Sequence, residues 1–345
     1  SEKGNTYFVF DRGGVAKLSE CCRLSFELTP EDLDEAKHPW KMRYCALQNV
    51  TLNLPRAAYR CNGDEEALFE IIDEEMELAA KAHLQKRAFI KSILDLGLQG
   101  PLAALCVSHD DEGYLRMRKA SHLIGILGLN EMVEAVTGSQ LHESEHAEQL
   151  GKAVIQYMDL KCQQLSERLG IKIVLEQTPA ESTALRFAKL DMRAYPDIAR
   201  RYIKGNFETG EIYYTNSTHL NYKLVQDPID KVMREGELHP MIKAGAITHI
   251  WMGEHKPDPD ALASFVIKTF RHSENAQIAF SPEFTICNEC NRIERGLSDT
   301  CSRCGSEDVD GITRVTGYFT RTSSWNAGKR GELKDRARCP VKAPA

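Results

Sequence analysis

Four cysteines late in the chain have the spacing of a metal site. "CNECNRIERGLSDTCSRC" places Cys287, Cys290, Cys301 and Cys304 as two CxxC pairs separated by ten residues. One CxxC turn can present two thiolates to one ion, and two such turns complete a tetrahedral set of four sulfurs. Four protein ligands leave no open position for a substrate, so the expected role is structural. In "QTPAESTALRFAKLD", Thr178 stands three residues before Glu181, with Pro179 next to it. That is the pattern of a capping box with proline in the first helical turn. A strand running into such a helix start is also an anion site, because free N–H groups and the helix dipole point outward from it. "SECCRLSF" (19–26) holds adjacent Cys21 and Cys22, which suit neither a mutual disulfide nor one metal. They are either buried packing residues or a reactive sulfur on a loop between elements. In "ITRVTGYFTR" (312–321) a single glycine, Gly317, interrupts a stretch that otherwise reads as strand. A turn or bulge is the first explanation.

These residues must be held by a larger frame. The chain has 345 residues, 42% hydrophobic and 27% charged, enough for one large or two medium domains. "LQNVTLNL" (47–54) alternates up to Pro55 and reads as a strand. Residues 64–96 carry apolar positions at helical spacing, with Asp64 as N-cap and Gly97, Gly100 and Pro101 as the stop. "HLIGILGLNEMVEAV" reads as a strand or loop followed by a short helix, and 143–169 as a long amphipathic helix ended by Gly170. "IKIVLEQ" (171–177) and "GAITHIWMGE" (245–254) are strand candidates, "TPAESTALRFAKL" is helical, and "YYTNSTHL" (213–220) is loop-like. Strands alternating with helices predict an α/β fold with a mostly parallel sheet. From about residue 280 the composition shifts to Cys, Gly and Ser, which marks a small C-terminal module.

Charge and cysteine usage narrow the function classes. A net charge of −6 argues against binding driven by nucleic-acid phosphates. No apolar run reaches the ~18 residues that span a bilayer, and the first residues do not resemble a signal peptide, so a cytoplasmic protein without membrane contact is expected. Eleven cysteines in a chain of this kind point to metal binding or catalysis rather than disulfides. "NTYFVFDR" reads as a strand within the first dozen residues, so the chain is expected to begin inside a larger fold.

"RVTGY" followed by "SSWNAGKRGELKDR" is similar to the glycyl-radical loop of the anaerobic (class III) ribonucleoside-triphosphate reductases. The four-cysteine segment just upstream, "TPAESTALRFAKLD", "VTLNLPR", "GILGLNE" and "YYTNSTHLN" resemble that family too. The resemblance runs along essentially the whole chain but corresponds only to the later part of a typical member. It implies the C-terminal half of a ten-stranded α/β barrel over 1–280, with a finger loop near 19–26. It implies a zinc ribbon over 281–310 and a glycyl-radical loop and tail over 311–345. The implied activity is reduction of ribonucleoside triphosphates to deoxyribonucleotides.

By the same resemblance Gly317 stores an unpaired electron, placed there by a separate radical S-adenosylmethionine activating enzyme. A glycine Cα radical is stabilised jointly by its amide nitrogen and its carbonyl, and a side chain would crowd the planar centre. Cys22, or else Cys21, would be the finger-loop thiyl that abstracts the ribose 3′-hydrogen. Glu20 would either deprotonate the 3′-hydroxyl or lie solvated. Asn53 could hold a substrate hydroxyl, and Thr178, Ala180, Glu181, Ser182 and Thr183 would form the phosphate loop. Zinc is the expected metal. Formate or a redoxin would be the reductant, and the complete enzyme is expected to be a homodimer, its N-terminal half being either a separate chain or absent. Cys45, Cys61, Cys106, Cys162 and Cys339 read as packing residues. Two rival readings are a glycyl-radical enzyme of the pyruvate formate-lyase type, suggested by Cys21–Cys22, and a non-enzymatic zinc-ribbon interaction protein.

Overall fold

The structure, a computed structural model, describes residues 6–12, 17–19, 24–35, 37–38, 41–108 and 112–339. Its strands are β1 (Tyr7–Val9), β2 (Lys17–Ser19), β3 (Ser25–Glu27), β4 (Cys45–Asn53), β5 (Ala120–Leu127), β6 (Lys172–Gln177), β7 (Lys204–Asn206), β8 (Glu211–Tyr213), β9 (Thr248–Gly253), β10 (Gln277–Pro282), β11 (Phe284–Cys287), β12 (Ile293–Arg295), β13 (Val309–Arg314) and β14 (Phe319–Arg321). The helices that carry the argument are α1 (Leu54–Cys61), α2 (Glu65–Leu94), α3 (Leu129–Thr137), α4 (Glu145–Leu169), α5 (Thr183–Ala194) and α6 (Ala327–Asp335).

Strands β4, β5 and β6 pair in parallel in that order, as do β9 and β10, with β1 added antiparallel to β10. The two groups meet where the Ala244 N–H donates to the Leu175 carbonyl at 2.9 Å and the Ile247 N–H to the Gln177 side chain at 2.9 Å. Every residue of β5, β9 and β10 is buried, as expected for parallel strands covered on both faces. A mixed α/β fold is therefore observed; its central strands pair in parallel, while the other pairs among the described residues are antiparallel. On one face α2 and α4 close the main core. Leu68, Ile72 and Met76 repeat every fourth residue on α2 and meet Val154, Ile155 and Met158 of α4. Asp64 caps α2 through the N–H groups of Glu66 and Ala67, and Gly170 ends α4 in a left-handed conformation. Cys61 and Cys162 lie in this core, and burial pushes the Cys162 thiol up. On the other face Gly125 makes room for side chains that cross between strands. A Cβ there would lie 1.9 Å from the Thr178 hydroxyl.

Strands β12, β11, β13 and β14, in that order, form a separate antiparallel sheet. It carries both the four cysteines and, in the β13–β14 turn, Gly317. A boundary at 310/311 therefore falls inside β13. Among the described residues no helix is long and apolar enough to cross a membrane.

The start of α5 corrects a sequence expectation. The capping box of Thr178 and Glu181 does not form; the helix begins at Thr183 with Ser182 as N-cap. Ala180 is left-handed at φ 50°, which turns the chain before the helix can start. The Thr178 hydroxyl lies 3.0 Å from that of Thr51, and the Glu181 carboxylate is engaged elsewhere.

Candidate functional site

The four cysteines converge as their spacing requires. Their sulfurs all lie within 4.8 Å of one another, with Cys287–Cys304 and Cys290–Cys301 each at 3.6 Å. Sulfurs bound ~2.3 Å from one tetrahedral ion sit about 3.8 Å apart, so the set fits zinc. Both CxxC turns are built alike. Asn291 and Gly305 follow their pairs in left-handed conformations, and their N–H groups return to the carbonyls of Cys287 and Cys301 at 3.0 and 2.9 Å.

Gly317 sits in the tight turn joining β13 to β14, closed by the Val315 N–H donating to the Tyr318 carbonyl at 3.1 Å. It is buried, while Tyr318 beside it is 45% exposed. Among the described residues with positive φ Gly317 does not appear, so left-handed backbone is not what requires glycine here. Its carbonyl accepts two hydrogen bonds, from the Tyr7 hydroxyl of β1 and from the Arg314 guanidinium. Arg314 is buried between the Tyr7 and Phe319 rings, 4.6 Å from each centroid.

The helix behind this turn supplies its anchor. "KRGELKDR" is dense in charge, yet Lys329, Glu332 and Arg336 are all buried. Glu332 accepts from Lys329 at 2.6 Å and from Arg336 at 2.7 Å. Arg336 stacks 3.9 Å over Trp251, and donates to the carbonyls of Arg314 at 2.9 Å and Val315 at 3.2 Å. The chain entering the Gly317 turn is thus fastened to α6. Burial would raise the Glu332 carboxyl, but Lys329 and Arg336 outweigh it and hold it below the ordinary range. Glu332→Ala should therefore destabilise the protein by about 3–5 kcal/mol in urea unfolding, because two buried cations lose their counter-charge. A carboxyl depressed by folding stabilises above its unfolded value near ~4.3 and loses that contribution as pH falls. The wild-type advantage over the variant should shrink on acidification.

The loop at residues 178–183 faces the Gly317 turn. Glu181 accepts from the Tyr318 hydroxyl at 2.9 Å and the Thr316 hydroxyl at 3.4 Å, and its carbonyl accepts from Asn326 at 2.6 Å. Ala180 is buried and Ser182 exposed, and Ser182 makes no capping hydrogen bond, so the first N–H groups of α5 receive none from it. Asn216, from "YYTNSTHL", donates to the Pro179 carbonyl at 2.8 Å and fixes the loop from behind.

Asn53 ends β4 and caps α1 through the Arg56 N–H. Its amide also donates to Asp191 at 2.9 Å. Asp191, fully buried on α5, is bound by Arg56 at 2.7 Å and Tyr214 at 2.9 Å as well. Glu131, from "GILGLNE", is another buried carboxylate. One oxygen accepts from the Thr215 N–H and hydroxyl, the other has no partner among the described residues, and burial pushes its carboxyl above its usual value. Sequence reading singled out neither Asp191 nor Glu131, since an acidic residue in a helix is most often solvated. Nor did it single out Tyr7, Arg314, Glu332 or Arg336. Glu20, Cys21 and Cys22 lie outside the described residues; the strands flanking them, β2 and β3, pair as a hairpin with Ser19 opposite Ser25.

A family model described as anaerobic ribonucleoside-triphosphate reductase matches residues 1–338. The anaerobic ribonucleoside-triphosphate reductases of Salmonella typhimurium and Escherichia coli are each 27% identical over 305 residues, covering 84% of this chain and 42% of theirs. That of Enterobacteria phage T4 is 25% identical over 308 residues, with 84% and 48% covered. A solved anaerobic ribonucleotide reductase superposes with a TM-score of 0.70 at 21% identity, over 86% of this chain and 45% of its own. The Thermotoga maritima anaerobic ribonucleotide reductase with glycerol in its active site gives 0.66 at 20%, over 84% and 44%. The chain thus spans less than half the length of these relatives.

Proposed function

The chain belongs to the anaerobic ribonucleoside-triphosphate reductase family, and on that premise we propose that it carries the radical store and the catalytic thiol of a ribonucleoside-triphosphate reductase. The observation that carries this reading is the buried Gly317 turn built directly onto the four-cysteine sheet. The parallel strands are read as the C-terminal half of a ten-stranded barrel. Residues 19–26 are its finger loop, and the four-cysteine sheet is a zinc ribbon that frames the turn.

Once installed, the unpaired electron on Gly317 would supply hydrogen-abstracting power: Cys22 would give its thiol hydrogen to the glycine Cα and, as a thiyl, take the ribose 3′-hydrogen in turn. The chain's own groups prepare for this. Tyr7 and Arg314 donate to the Gly317 carbonyl, which strengthens its pull on electron density from the adjacent Cα. Burial slows the access of water and oxygen to that carbon. The first N–H groups of α5, uncapped by Ser182, offer donors to a substrate phosphate. An amide nitrogen carries two protons, so Asn53 retains one for a substrate hydroxyl after serving Asp191. A radical S-adenosylmethionine enzyme would activate the protein, and formate or a redoxin would supply electrons. Turnover is assigned to this chain joined, as a homodimer, to the remaining portion that its relatives carry, whether or not that portion is a separate chain.

The test divides storage from catalysis. Activated Cys22→Ser, assembled with that remaining portion, should show the glycyl signal by electron paramagnetic resonance and no deoxyribonucleotide formation. Normal turnover in this variant would move the thiyl role to Cys21. No glycyl signal in the activated wild type would overturn the reading.

A further inference from the structure

The contacts around Gly317 fall into two sets of different character. The stem of the turn is held by groups that are wholly buried: Arg336 on the carbonyls of Arg314 and Val315, with Glu332 and Lys329 behind it. The Gly317 carbonyl is held from the inner side as well, by the Tyr7 hydroxyl and the Arg314 guanidinium, and the outer edge of the tip is held differently. Thr316 and Tyr318, on either side of Gly317, reach the two oxygens of one carboxylate, Glu181. That carboxylate belongs to another element, is half-buried, and receives its shorter bond from a residue that is 45% exposed. Water can replace these hydroxyl–carboxylate bonds as the tip moves, whereas releasing Arg336 would strand buried charge.

We propose that Glu181 is a positioning residue that latches the Gly317 turn, so that the tip opens at Glu181 while its stem stays fixed on α6. The inference rests on the radical-store reading for its purpose. A second protein cannot reach a buried Cα, so the tip must leave its seat to be activated and return to it for turnover. This gives Glu181 a part separate from holding a phosphate. Its backbone stands at the start of the α5 loop, and its side chain turns away from the Ser182–Thr183 N–H groups toward the turn.

The latch is measurable without any radical, by hydrogen exchange of residues 315–319 in the full, zinc-loaded, unactivated chain. Glu181→Ala should speed exchange at residues 316–318 about tenfold, as should Tyr318→Phe, which removes one hydroxyl from a partly exposed ring and leaves the fold intact. Glu181→Gln keeps an acceptor but loses the charge and should give a smaller increase. The double variant Glu181→Ala with Tyr318→Phe should be no faster than Glu181→Ala alone. Protection in β13 should not change. Unchanged exchange in Tyr318→Phe, additive effects in the double variant, or a speed-up spread evenly over residues 309–321 would each overturn the latch. A second readout is the activated protein, where Glu181→Ala should acquire the glycyl signal faster and lose it faster in air. Expected exchange with no glycyl signal in the wild type sinks the radical-store reading and leaves the latch contact standing. A normal signal with unchanged exchange sinks the latch alone.

Discussion

Gly317→Ala should leave no glycyl signal after activation and no chain cleavage on exposure to air. The wild type, once activated, should be cut at residue 317 by oxygen, releasing a C-terminal piece that begins at Tyr318. An unpaired electron on a backbone Cα adds O₂ readily, and the peroxyl product fragments the chain at that residue. Alanine blocks this at the source. Its methyl must lie close to the plane shared by the amide and the carbonyl, where it crowds the delocalised centre and the approach of an activating protein. The structure separates this effect from ordinary misfolding. Gly317 is outside the left-handed region, so alanine meets no backbone penalty there and the four-cysteine sheet should keep its metal. Mass spectrometry of air-exposed protein decides the matter. A cut elsewhere, or a cut without activation, would reduce Gly317 to the turn residue of a β-hairpin.

Cys301→Ser should remove the zinc and unfold the sheet that carries Gly317, while the parallel strands and their helices stay folded. Beside the α6 anchor at its Gly317 end, the sheet has little apolar packing of its own. Among the described residues the nearby apolar cluster consists of Val315, Trp325 and Leu333, and Ile293 of β12 is 60% exposed. Structural zinc contributes on the order of 10–16 kcal/mol in small four-ligand modules, far more than such a cluster can replace. The main core, with Leu68, Ile72, Met76 and their partners on α4, touches none of the ligands and should persist. Metal analysis should find one zinc per wild-type chain and none in the variant. Protease should cut within 284–321 in the variant, and far-ultraviolet circular dichroism should retain the helical signal. Because β13 and β14 belong to the cysteine sheet, activation should fail with the metal gone. One zinc retained by Cys301→Ser, or full protection of 284–321 without it, would contradict the structural role.

The features legible in the sequence were those whose causes are local. Asp64 and Gly170 marked the ends of two long helices because capping acts within one turn of chain. The cysteine cluster was legible because each CxxC turn folds on itself and the sheet between the pairs is short. Helical spacing marked residues 64–96 as a helix because one face of a helix repeats every three to four residues, and Leu68, Ile72 and Met76 line its buried face. Tertiary structure alone decided the rest. Thr178 and Glu181 had the local pattern of a capping box, but Thr51 and the Gly317 turn offered partners from strands far along the chain, and those partners won. Lys329, Glu332 and Arg336 are residue types that mostly stay in water, and the packing of α6 against Trp251 and the turn makes them a buried anchor. Tyr7 reaches Gly317 across 310 residues because β1 pairs with β10. A periodic pattern fixes which face of an element is apolar. It carries no information about which distant polar group will meet a given carboxylate, since that depends on how whole elements dock.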